Sequence, residues 1–149
     1  MEKLEVVGGK KLSGVLKISG SKNASLPILA ASLLSKKKIE LINLPQVKDI
    51  KTMLTLLESL GSGVKKIGKK TIIDNINQKK TEANYNIVRL MRGSFLVLGP
   101  LLAKFGKAKV SSPGGCSIGV RPIDIHLNAL TKLGVKIKIV DGYVIANAP

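Results

Sequence analysis

The 149-residue sequence predicts an α+β fold assembled from a repeated unit of helix, strand, helix, strand, strand. Three observations predict it. Apolar residues switch between the helical and the strand period along the chain. Glycines stop the helices at matching places. The pattern also returns, with small insertions between the first helix and the second, at an interval of 73 residues that separates Pro27 from Pro100, Ile50 from Ile123, Leu57 from Leu130 and Gly61 from Gly134. Units of this kind have one apolar sheet face and helices that need a common interior, so copies are expected to pack their helices together behind separate sheets.

Residues 3–7 and 14–19 read as two strands around a Gly-Gly-Lys-Lys turn and stand outside the repeat. Gly20 permits a tight turn and Ser21 a cap for a helix whose apolar run covers 28–34. Pro27 inside that helix removes one N–H and leaves the Asn23 carbonyl without its ladder partner. Residues 39–42 (IELI) alternate as a strand, and Val47, Ile50, Met53, Leu54, Leu57 and Leu60 fall on one helix face. Two short strands, 64–67 and 71–73, flank the turn Gly68-Lys69-Lys70. The second copy runs from an apolar stretch at 95–105 through a strand at 107–110 to a helix face of Ile123, Leu127, Leu130 and Leu133. A hairpin of 135–140 and 143–146 around Asp141-Gly142 closes it. Between the copies, the polar residues 75–84 (NINQKKTEAN) are predicted to be a surface connection.

An apolar content of 44% argues for a folded domain and against disorder. A lone cysteine excludes an internal disulfide, leaving a buried small hydrophobe or a working thiol. The net charge of +16 attracts polyanions and raises nucleic acid as a partner. Against that stand only two Tyr and two Phe for base stacking, the lack of zinc-ligand or RNA-binding spacings, and lysines scattered along the chain. Lys36-Lys37-Lys38, Lys65-Lys66, Lys69-Lys70 and Lys79-Lys80 read as solvated turns, and a small anionic substrate fits the same charge. The N-terminus MEKLEVVGGKK has no apolar run of signal-peptide length, and no stretch reaches the roughly 18 apolar residues of a membrane span. The expected location is the cytoplasm.

Function is expected where the two copies differ. The first difference is Gly20-Ser21-Lys22-Asn23-Ala24, where the free N–H groups of a helix start and the Lys22 charge suit a phosphate. The alternative is an ordinary capped helix whose lysine reaches into water. The second is Pro113-Gly114-Gly115-Cys116-Ser117-Ile118-Gly119, with three glycines in seven residues, a composition suited to a lid. Arg121 then precedes Pro122, and Asp124 lies in the first turn of the next helix, which makes a second anion site. A guanidinium beside Cys116 stabilises a thiolate, as a nucleophile or proton donor requires; a buried loop cysteine is the alternative. His126 stands as a ligand or base, or as a packed helix histidine on the repeat's Met53 position.

The stretches Gly20-Ser21-Lys22-Asn23-Ala24-Ser25-Leu26-Pro27 and 113–126 (PGGCSIGVRPIDIH) resemble the signatures of the UDP-N-acetylglucosamine 1-carboxyvinyltransferases, the enolpyruvyl transferases of peptidoglycan and cell-wall synthesis. The resemblance runs the length of the chain. It implies an enolpyruvyl-transferase-like inside-out α/β barrel, an α/β prism in which each of two domains carries three repeats. Two of those repeats are expected here, about 22–76 and 84–149, within a partial domain at 22–149. Residues 1–21 are expected to supply strands that pair with the other domain.

The same resemblance assigns roles. Lys22 and Arg121 match residues that hold phosphoenolpyruvate, Asn23 one that contacts the amino sugar, and Arg92 one near the diphosphate. Pro122, Ile123, Asp124, Ile125 and His126 match the segment gripping the uridine end, largely through backbone groups. Cys116 matches the lid cysteine that protonates the enolpyruvate methylene and is alkylated by fosfomycin in relatives. No metal or cofactor is implied. The implied partners are phosphoenolpyruvate, UDP-N-acetylglucosamine and the C-terminal part of the same enzyme, which supplies the general base. No nucleic-acid or membrane partner is implied, and the fragment alone is expected to be inactive, to bind substrates weakly, and to expose apolar faces that favour self-association. Two other assignments are a shikimate 3-phosphate transferase relative, opposed by Asn23 and Cys116, and a non-catalytic basic module binding nucleic acid.

Overall fold

Helix α1 (Lys22–Ser32) starts at Ser21, whose extended backbone and side-chain oxygen, accepting from the Ala24 N–H at 3.3 Å, form the cap expected of that residue. A computed structural model describes residues 3–113 and 122–149. After α1 come β1 (Ile39–Ile42), α2 (Lys48–Ser59), β2 (Gly63–Ile67) and β3 (Lys70–Asp74). A two-residue strand, β4 (Glu82–Ala83), and a single turn, α3 (Tyr85–Val88), lead to a 3-10 helix (Arg92–Val97) that continues as α4 (Leu98–Phe105). The chain ends with β5 (Lys107–Ser111), α5 (Asp124–Lys132), β6 (Lys136–Val140) and β7 (Tyr143–Asn147).

The strands form two sheets, β1-β3-β2 and β4-β5-β7-β6. Every pairing is antiparallel except β4 with β5. Registers agree between the sheets: Ile73 pairs with Ile39 and Val64, and Ala146 with Ala108 and Ile137. In each central strand alternate residues face the helices, so Thr71 and Ile73 are buried in β3, and Val144 and Ala146 in β7. Leu29 of α1 and Leu33 just after it, Met53, Leu56 and Leu57 of α2, and Leu98 and Leu101 of α4 belong to one buried apolar cluster with residues of both sheets.

Helices α2 and α5 both stop through the same backbone device. The Ser62 N–H bonds the Leu57 carbonyl and the Gly61 N–H that of Glu58; Val135 and Gly134 repeat this with Leu130 and Thr131. The paired bonds require a left-handed residue, and Gly61 and Gly134 have φ of +99° and +89°.

Five expectations need revising. Residues 3–7 and 14–19 form no ladder among the described residues, because a strand exists only through a partner's hydrogen bonds and none is within reach. The apolar stretch 95–105 divides into a 3-10 segment and a short α-helix, a change of pitch that periodicity does not report. The linker at 75–84 is only partly a surface connection. Asn75 is buried, accepting from Ser62 Oγ at 2.6 Å and donating to the Ser32 carbonyl at 2.7 Å, while Glu82 and Ala83 join the second sheet. Leu133 is 74% exposed whereas its counterpart Leu60 is fully buried, since α5 lies at the core's margin with no fully buried residue. Finally, the lysine clusters at 36–38, 65–66, 69–70 and 79–80 are all exposed, but Lys65 and Lys66 stand within strand β2 and Lys70 opens β3, so these three are on solvated faces of strands instead of turns.

Candidate active site

The predicted site residues at the start of α1 are held by close packing beneath them. A Cβ on Gly20 would run into the Asn43 carbonyl, and Asn43 itself takes a left-handed φ of +60°. The missing side chain at Gly20 and the backbone reversal at Asn43 therefore seat the β1–α2 connection directly against the turn that opens α1. The first turns of α1 and α2 meet there. Lys22 Nζ lies 2.8 Å from Asp49 Oδ2, an ion pair between the two helix starts whose side chains are 47% and 33% exposed. Asn23 is exposed beside Lys22. Such partly solvated pairs contribute roughly 0–1 kcal/mol to stability.

The 3-10 helix connects this region to the start of α5. Its Gly93 sits so tightly on α1 that an added Cβ would stand 3.0 Å from Leu26 Cδ1. Arg92, on the exposed side, donates from Nη2 to the Pro122 carbonyl at 3.1 Å. The buried Phe95 ring meets the His126 ring edge-on, with centroids 6.3 Å apart. One short segment thus touches α1 through Gly93 and the approach to α5 through Arg92 and Phe95. Ser94 between them is fully buried.

Among the sequence-predicted residues, Lys22 and Asn23 share the α1 start, while Arg92, Pro122 and His126 gather around the 3-10 helix. Ile123 caps α5 and is partly buried against the core; Asp124 opens the helix, and Ile125 is exposed. Pro122 precedes the helix instead of occupying its first position. Cys116 and Arg121, and with them the lid expected at 113–119, lie outside the described residues apart from Pro113. His126 is exposed with one ring edge against Phe95, so it is neither fully packed nor engaged by an acidic side chain among the described residues. No motif in the sequence marks Asp49. An acidic residue in a helix's first turn ordinarily complements the dipole, and its contact with Lys22 depends on the Gly20–Asn43 approach, which no local pattern encodes.

With α1, the 3-10 helix and α5 so arranged, the chain has the fold of the enolpyruvyl transferases. The enolpyruvyl transferase NikO from Streptomyces tendae superposes with a TM-score of 0.78 over 95% of this chain and 31% of its own, at 22% identity. EPSP synthase from Acinetobacter baumannii gives 0.66 over 91% of this chain and 32% of its own, at 15% identity. The chain belongs to the EPSP synthase (3-phosphoshikimate 1-carboxyvinyltransferase) family, whose model matches residues 6–149. Its similar relatives include the UDP-N-acetylglucosamine 1-carboxyvinyltransferase of Pelagibacter ubique, 68% identical over the whole chain, and that of Campylobacter fetus, 55% identical over 99% of it. The chain spans about a third of the length of these relatives, 36% and 35% respectively.

Proposed function

We propose that the chain is the N-terminal portion of a UDP-N-acetylglucosamine 1-carboxyvinyltransferase, which moves the enolpyruvyl group of phosphoenolpyruvate to the sugar 3-hydroxyl and releases phosphate. The observation that carries this reading is the 68% identity, sustained along all 149 residues, to a relative of that name. The capped α1 start bearing Lys22 supports it independently, because unpaired N–H groups and an ammonium side by side suit a phosphate. In this reading Lys22 and Arg121 hold phosphoenolpyruvate and Asn23 meets the amino sugar. Arg92 lies near the diphosphate, and residues 122–126 take the uridine end. The Arg92 bond to the Pro122 carbonyl keeps those last two parts together.

The chemistry assigned to this chain is the delivery of one proton. Cys116 gives its proton to the enolpyruvate methylene as the sugar 3-hydroxyl oxygen bonds to C2 and loses its own proton to a base outside these residues. The resulting tetrahedral adduct carries the phosphate on C2. Loss of phosphate and of one methyl proton then regenerates the carbon–carbon double bond. Positive charge from Lys22 and Arg121 opposes the charge of the phosphate throughout, and a lid over the site excludes water that would compete with the sugar.

The two sheets and their helices are, on the same reading, two of three repeats of an inside-out α/β barrel, at about 22–76 and 84–149. The common register of the β2–β3 and β6–β7 hairpins, displaced by 73 residues, supports this. Residues 1–21 act as strands toward a second domain. The expected compartment is the cytoplasm, in keeping with a nucleotide-sugar substrate; no helix among the described residues is long and apolar enough to cross a membrane. The decisive experiment incubates a full-length protein carrying this chain with fosfomycin. The expected result is covalent labelling of Cys116, accelerated by UDP-N-acetylglucosamine. An unlabelled thiol would reduce Cys116 to a structural residue, and labelling indifferent to the sugar nucleotide would remove the substrate assignment.

A further inference from the structure

We propose that Asp49 is a positioning residue, which holds the Lys22 ammonium at the start of α1 so that it meets a phosphate-bearing substrate already in place. The inference rests on the reading of Lys22 as a phosphate ligand. A lysine side chain has four rotatable bonds and, on an open helix start, spends most of its time away from any one spot. Here it is fixed across a helix boundary, at 2.8 Å from a carboxylate in the first turn of α2. That distance depends on packing below the pair, where Gly20 admits the Asn43 carbonyl and the left-handed Asn43 turns the β1–α2 connection toward α1. Asp49 is itself favoured at its place by the free N–H groups of the α2 start. An ammonium has three donors, so one bond to Asp49 leaves two for phosphate oxygens.

An incidental counterion predicts the opposite behaviour. A carboxylate beside an anion site repels the anion, so neutralising a mere bystander tightens phosphate binding. If Asp49 positions Lys22, neutralising it weakens binding despite the relief of repulsion. The sign of one substitution therefore separates the two roles. Stability separates positioning from a structural role, because a pair this exposed contributes little to folding.

The test titrates a full-length protein carrying this chain, labelled with carbon-13 at its lysines, with phosphoenolpyruvate and then with inorganic phosphate, following the lysine signals by NMR. The parent protein is expected to bind phosphoenolpyruvate with its largest shift at Lys22. Asp49→Asn is expected to weaken binding about fivefold, and Asp49→Glu to recover most of that loss. Both variants should keep the parent's urea midpoint. Unchanged or tighter binding by Asp49→Asn overturns the proposal, as does a drop in midpoint that accounts for the lost affinity. Lys22→Met distinguishes failure of the underlying reading. If it binds as well as the parent, or if the parent shows no shift at Lys22, the phosphate assignment itself falls and takes Asp49 with it. Weakening by Lys22→Met alone refutes only the role of Asp49.

Discussion

At the scale of single residues, Asn75 shows what a polar side chain does when its surroundings give it both of its partners. It sits just past β3 in a stretch of amides and lysines, yet it is 2% exposed and joins the Ser62 hydroxyl to the Ser32 carbonyl. The loop after α2 is thereby pinned to the last turn of α1. Lys104 approaches the Asn75 carbonyl at 3.5 Å, and burial, with a smaller contribution from the Lys36 charge, holds its pKa below the usual lysine value. Replacing Asn75 by Ala strands the buried Ser62 hydroxyl, at about 1–3 kcal/mol, whereas the Ser32 carbonyl keeps its bond from the Ser35 N–H at 3.0 Å. Asn75→Ala is therefore expected to lose about 1–3 kcal/mol of unfolding free energy, read from urea denaturation. An unchanged midpoint would show that water enters and replaces the amide. Composition hid this residue, since an Asn in a run of polar residues has the same appearance whether solvated or enclosed.

At the scale of elements, helix faces and stops were readable because they follow from local geometry. The period of Ile50, Met53 and Leu57 fixes the buried side of α2, and Gly61 and Gly134 announce backbone that other residues enter at a cost. Alanine at either glycine is expected to destabilise by about 1–2 kcal/mol through left-handed strain. Calorimetry should find the two losses similar in size, because Gly61 and Gly134 share one hydrogen-bond pattern. A loss at Gly61 with none at Gly134 would mean that α5 frays before the global transition. What was not readable belongs to contacts between elements. The close approach of Gly93 in the 3-10 segment to Leu26, and the Lys22–Asp49 pair above the Gly20–Asn43 approach, each join segments distant in sequence. In the candidate site the individual residues could be named from motif likeness, whereas the pairing that orients one of them could not.

At the scale of the whole molecule, the distribution of apolar surface is uneven. Leu4, Val6, Leu12, Leu16 and Ile18 along the N-terminal arm are each at least 78% exposed, and Ile125 and Leu133 add an uncovered strip on α5. Apolar area of this extent favours association when another surface is available to cover it. Sedimentation velocity is expected to show the average mass rising with concentration, and removal of residues 1–18 to suppress most of the rise. A single monomeric boundary at every concentration would refute this. The arm also has a mechanical position. It runs straight into the Ser21 cap, with Gly20 lodged against the Asn43 backbone. A pull on residues 3–19 is thus delivered to the backbone at the start of α1, beside the β1–α2 connection that Gly20 seats.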